Sequence, residues 1–145
     1  MKRNVIGAML AGGLLALTVT LHANTVSKKV AWANDKWIPL NLVSEGVQIK
    51  EVRFAVEGGV SWNPLRAGSG PQCFVSLKNT SDHGSGAAVA VALFDGNGDL
   101  IGATESSNIG TLNPGESKDI KLTFRDVKRR FFEAKTAQIA LETFK

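Results

Sequence analysis

Three runs between Gln72 and Phe124 alternate apolar and polar side chains with the period of two that a pleated strand imposes. In Gln72–Asn79, Cys73, Val75 and Leu77 share one phase, opposite Gln72, Phe74, Ser76 and Lys78. In Ala88–Asp95, Val89, Val91 and Leu93 alternate with Ala88, Ala90, Ala92 and Phe94. That run is apolar on both faces, which predicts a central or covered strand. In Lys118–Phe124, Ile120, Leu122 and Phe124 alternate with Asp119, Lys121 and Thr123, the signature of a half-buried strand. Between these runs, Asp95-Gly96-Asn97-Gly98-Asp99 supplies glycines for the positive φ of a tight hairpin. Asn113-Pro114-Gly115 sets φ with proline and then offers the glycine that a type II turn needs at its third position.

The pattern extends to both sides. Trp37–Leu42 predicts a short strand, confined to a sheet edge by Pro39. In Val47–Val56, Val47 and Ile49 keep one phase while Val52, Phe54 and Val56 take the other, so a β-bulge is expected near Lys50-Glu51. Gly58-Gly59 breaks the run, Val60-Ser61-Trp62 resumes it, and 63–71 reads as a loop. Asp126 is placed to cap a short helical turn in which Val127, Arg130 and Phe131 share a face, with Phe131 and Phe132 plugging the end of the core. Ala137, Ile139 and Leu141 mark a last strand. The polar stretch from Asn24 to Lys36 predicts a loose tail. Together these elements predict an all-β chain, an Ig-like antiparallel β-sandwich of about seven strands.

At these residues the chain resembles the FxLYD domain, a bacterial extracellular β-sandwich. The similarity runs through Val75-Ser76-Leu77-Lys78-Asn79-Thr80, Val91-Ala92-Leu93-Phe94-Asp95, Gly98, Leu112-Asn113-Pro114-Gly115-Glu116 and Ile120 to Phe124. Val91 stands where the family has its first Phe, and Phe94 where it has Tyr. The resemblance covers residues 73–125 and implies a fold, with no catalytic residues to carry over.

Composition changes the picture mainly at the N-terminus. Lys2 and Arg3, then an apolar stretch from Val5 to Leu21, then Leu21-His22-Ala23, have the three parts of a cleavable secretory signal peptide. The apolar stretch is short for a spanning helix, so no transmembrane segment is expected after cleavage. The organisation expected is a signal peptide at 1–23, an N-terminal flank at 24–44 and the sandwich domain at 45–145. The signal carries two of the 17 basic residues and none of the 13 acidic ones, so the rest is nearly balanced and gives no argument for a nucleic-acid partner. The one cysteine, Cys73, excludes an internal disulfide and, lying far from the cleavage site, a lipoprotein anchor. Its phase predicts a small buried hydrophobe.

No motif for chemistry survives inspection. Asp95–Asp99 opens like a calcium loop, but Leu100 stands where that loop needs Gly and Ser106 where it needs Glu. His83, the only histidine after the signal, sits in a glycine-bracketed loop with no second ligand near it. No phosphate loop, nucleophile elbow or zinc pair occurs, so neither catalytic residues, metal nor cofactor is expected. What remains is surface. Trp32 and Trp62 are candidates for stacking on a glycan or anchoring a partner, with Trp37 expected to be buried and Trp32 the more exposed. Lys128, Arg129 and Arg130, within the Arg125–Arg130 cluster, are candidates for an anionic surface, a lipid headgroup or an acidic glycan. The expectation is a periplasmic or secreted, non-catalytic binding or structural module of the bacterial cell envelope, with an envelope or extracellular protein as partner. Binding of carbohydrate or lipid headgroups is the alternative, and a small hydrolase or hydrolase inhibitor a further one.

Overall fold

The computed structural model describes residues 24–56, 70–106 and 109–144, with the backbone alone for Lys128. Among them are nine strands and one short 3-10 turn, with no α-helix. The strands are β1 (Asn24–Ala31), β2 (Trp37–Ser44), β3 (Val47–Val56), β4 (Pro71–Asn79), β5 (Ser85–Phe94), β6 (Leu100–Ser106), β7 (Thr111–Leu112), β8 (Ser117–Thr123) and β9 (Thr136–Phe144). They form two antiparallel sheets. One runs β1-β9-β5-β6, with β7 also paired to β5; the other runs β2-β3-β4-β8. The inner phases of both sheets share one buried layer, so the molecule is a β-sandwich.

The layer follows the alternation in the sequence. Cys73, Val75 and Leu77 on β4 are buried, as are Val89, Val91 and Leu93 on β5, Leu122 on β8 and Phe124 just beyond it. Strand β5, apolar on both faces, is central, with β9 on one side and β6 and β7 on the other. Strand β9 buries Ala137, Ile139 and Leu141 between β1 and β5. In β3 the expected bulge is present. Opposite β4, Ile49 pairs with Leu77 and Glu51 with Ser76, so Lys50 is skipped and Val47, Ile49, Val52 and Phe54 all turn inward. Pro39 does lie on an edge strand, and that strand is itself irregular between Pro39 and Leu42.

Turns close as their residues dictate. Gly115 has φ 76 and Glu116 N donates to Asn113 O at 3.0 Å. In the Asp95–Asp99 hairpin, Asp95 Oδ1 accepts from the amides of Asn97 and Asp99 at 2.9 and 3.0 Å, so that carboxylate oxygen is engaged by its own loop. Between β2 and β3, Glu45 and Gly46 both have positive φ, 41 and 85, the paired signs of a type I′ turn.

Several expectations are corrected. Residues 24–31 are no loose tail but strand β1, paired residue for residue with β9 from Asn24↔Thr143 to Ala31↔Thr136. Main-chain pairing holds it, with only Val26 and Val30 partly packed on the core, so composition hid it. With β1 and the two-residue β7, the described strands number nine, not about seven. Asp126 makes no cap: the 3-10 turn at Lys128–Glu133 follows Val127, which has no side-chain cap bond. Val127 is instead buried with Phe131, while Arg130 faces outward and Phe132 is 53% exposed, so one phenylalanine of the pair plugs the core.

Cys73 is fully buried, and burial alone pushes its thiol far above the usual range. A thiol reagent at mildly alkaline pH should therefore label the folded protein only as fast as the protein unfolds. Rapid native-state labelling would show the β4 phase to be wrong.

Candidate binding surfaces

The outer face of the β2-β3-β4-β8 sheet carries a row of side chains one per strand. Trp37 on β2 pairs with Arg53 on β3, Arg53 with Phe74 on β4, and Phe74 with Lys121 on β8. Aromatic and cationic groups thus alternate across all four strands. The Arg53 guanidinium lies 4.6 Å from the Phe74 ring centre and 5.5 Å from that of Trp37, within the range where the ring quadrupole attracts a cation. Asp35 orients it further, with Arg53 Nη1 donating to Asp35 Oδ1 at 2.8 Å. Asp35 is itself held over the end of β3: its φ is 53, its amide donates to Phe54 O at 2.7 Å, and Asn34 bridges Phe54. Beside this lies an open recess of about 410 Å³ lined by Asn34, Asp35, Arg53, Ala55, Val56 and Phe132.

The two tryptophans exchange their expected places. Trp37 is 47% exposed, because it takes the outward phase of β2 with Pro39 and Val43. Trp32 is partly buried at the sandwich end, edge-on to Phe131 at 5.3 Å and to Phe132 at 6.5 Å. Its amide donates to Lys135 O at 2.9 Å, and its indole Nε1 is buried with no hydrogen-bond partner among the described residues. Trp32 is therefore tied into the packing of the sandwich end while remaining partly exposed. Trp62 lies outside the described residues.

The basic cluster is less free than its sequence suggests. Arg130 faces two carboxylates, Glu133 at 3.2 Å and Asp95 at 3.7 Å. Arg129 is exposed, and the side chain of Lys128 is outside the description. Phe132, which packs on Trp32, lines the same recess as Arg53 of the Trp37 row. The row itself is hidden in the sequence because neighbouring members lie 16 to 47 positions apart (Trp37 to Arg53 the nearest, Phe74 to Lys121 the farthest), and only the register aligns them.

Polar loop groups are spent on structure. His83 Nδ1 sits 3.0 Å from Asp82 Oδ1 in an exposed loop, and its hydrogen bond holds the Asp82 carboxyl below the usual range. Ser81 Oγ lies 2.6 Å from Asn79 Oδ1, in a loop-closing contact. Among the described residues no three of His, Cys, Asp or Glu gather as metal ligands would, and no helix is long and apolar enough to cross a membrane. No protein-family model matches the chain, and a search among curated proteins finds no match.

Proposed function

We propose that the chain is an exported, non-catalytic binding module of the bacterial cell envelope, with an Ig-like sandwich that is FxLYD-like over residues 73–125. Export is supported by the basic, apolar and small-residue segments of 1–23. The Ig-like reading is supported by the crossovers. The chain passes between sheets from β4 to β5 and again from β8 to β9, with β4 beside β8 and β5 beside β9.

One observation carries the binding reading: the row Trp37–Arg53–Phe74–Lys121 on a sheet face that no described element covers, with Trp37 half exposed at the sheet edge. Trp and Arg are the residues that most often anchor protein interfaces, and here both are fixed in place before any partner arrives. The partner that suits this surface is an envelope or extracellular protein. A glycan is the second reading, favoured by the outward ring of Trp37 with the Asp35 carboxylate near its Arg53 neighbour.

The test is affinity capture from an envelope fraction with the purified protein and its Trp37→Ala and Arg53→Ala variants. Each variant should lose about 2 kcal/mol of binding, roughly a 30-fold rise in Kd, for the species that the parent captures. Capture unchanged by both substitutions would remove this face from the proposal. Capture by the parent that is abolished by a competing oligosaccharide would move the partner class to glycans.

A further inference from the structure

Beside the Trp37 row, the outer face of the β2-β3-β4-β8 sheet carries a second row. Pro39 on β2 pairs with Glu51 on β3, Glu51 with Ser76 on β4, and Ser76 with Asp119 on β8. Each lies two residues from the member of the first row on its own strand. The residues between them, Ile38, Val52, Val75 and Ile120, turn to the core, so both rows face outward. The first row holds the cations Arg53 and Lys121, and the second holds the carboxylates Glu51 and Asp119 on the same two strands. Strands β3 and β8 thus each present a cation and a carboxylate about 6.8 Å apart along the strand. Among the described residues, Glu51, Asp119 and Lys121 enter no ion pair and no side-chain hydrogen bond.

Opposite charges at equal offsets make this face its own complement. When a second copy of the sheet is turned over about an axis that crosses the strands between the two rows, each strand lies on its counterpart with the rows exchanged. Arg53 then faces the second copy's Glu51, Lys121 its Asp119, Trp37 its Pro39 and Phe74 its Ser76, and every contact recurs reciprocally. Each carboxylate of the two rows meets a cation, and no like charges meet. An axis along the strands would instead lay Glu51 on Ser76 and Asp119 on Pro39, covering both carboxylates without a counter-charge.

We propose that two copies of this chain associate face to face through the β2-β3-β4-β8 sheet, in the register that exchanges the two rows. The inference rests on the reading of this face as a binding surface and names its occupant as a second copy, because the face matches itself in charge strand by strand. Four strands spaced about 4.8 Å and about four rows spaced about 6.8 Å give a patch of about 500 Å² per copy. That is below the usual size of a stable interface, so monomer and dimer exchange with protein concentration.

Charge reversal on β8 supplies the test, read by sedimentation velocity over a range of protein concentration. Asp119 and Lys121 are exposed on an edge strand, so exchanging their charges leaves the core untouched, which circular dichroism checks. Asp119→Lys alone sets ammonium against ammonium on both sides of the axis, and Lys121→Asp alone sets carboxylate against carboxylate. Each should weaken dimerisation at least about tenfold. Mixed in equal amounts, the two single variants regain an opposite charge at every β8 contact and should form a heterodimer close to the parent's affinity. The double variant Asp119→Lys/Lys121→Asp should dimerise alone for the same reason. A parent that stays monomeric, or single variants that dimerise as the parent does, overturns the proposal. In that event, capture from the envelope fraction that depends on Trp37 leaves the face as a binding surface for a foreign partner, and capture independent of Trp37 removes both readings.

Discussion

Replacing Phe131 by alanine is expected to destabilise the protein by about 3–5 kcal/mol, while the same change at Phe132 should cost no more than about 1.5 kcal/mol. The two residues are adjacent and chemically identical, so the contrast isolates burial. Phe131 is wholly buried at the end of the sandwich, edge-on to Trp32 and tilted against Phe124 at 6.0 Å. Phe132 is 53% exposed and contributes ring-edge contacts alone. Urea unfolding monitored by tryptophan emission measures both. Should the alanine variant fail to fold, Phe131→Leu keeps most of the volume and should fall by a smaller, measurable amount. Equal losses at the two positions would mean that the 3-10 turn is rotated from the arrangement described.

The second large effect is expected at Asn79, where alanine should cost about 3 kcal/mol or more. This side chain is fully buried at the end of β4. Its Nδ2 donates to His83 O at 2.8 Å and to Leu112 O at 2.9 Å, and its Oδ1 accepts from the Ser81 amide at 2.9 Å. Its backbone serves too, with N donating to Glu116 O and O accepting from Gly115 N, both at 2.9 Å. One residue thus binds the 80–84 loop, β7 and the Asn113–Glu116 turn together. Alanine leaves buried carbonyls without a donor, which is costlier than losing the bonds themselves. Asn79→Asp keeps the acceptor for Ser81 but sets a carboxylate against two carbonyls. Burial and those carbonyls favour its protonated form when folded, so that variant should lose stability as pH rises through the carboxylate range. Chemical denaturation across pH checks the sign, and an Asn79→Asp stability independent of pH in that range would contradict it.

What was legible in the sequence was whatever depends on alternation and turn chemistry. Cys73, Val75, Leu77, Val89, Val91 and Leu93 declared their buried phase by recurring at every second position, with polar or small residues between them except at Phe74. The β3 bulge was legible because the break in phase between Ile49 and Val52 has no other economical explanation in a strand. Strand β1 was not, since an edge strand held by main-chain pairing needs no particular side chains. Trp37 and Trp32 were misplaced for a related reason. Which phase of β2 faces the core depends on its partner, and Trp32 owes its cover to Phe131, nearly a hundred positions away. The Trp37–Arg53–Phe74–Lys121 row is a product of register, which a single sequence does not reveal.

The pairing of the first described strand with the last also governs when the fold can close. Asn24 and Thr143 meet across 119 positions, so this ladder is the most non-local contact the sandwich contains and weighs against rapid folding. A chain made or threaded from its N-terminus presents β1 first and β9 last. Throughout that interval β1 has no complement, and the β1–β9 ladder closes only when the last described strand has been made.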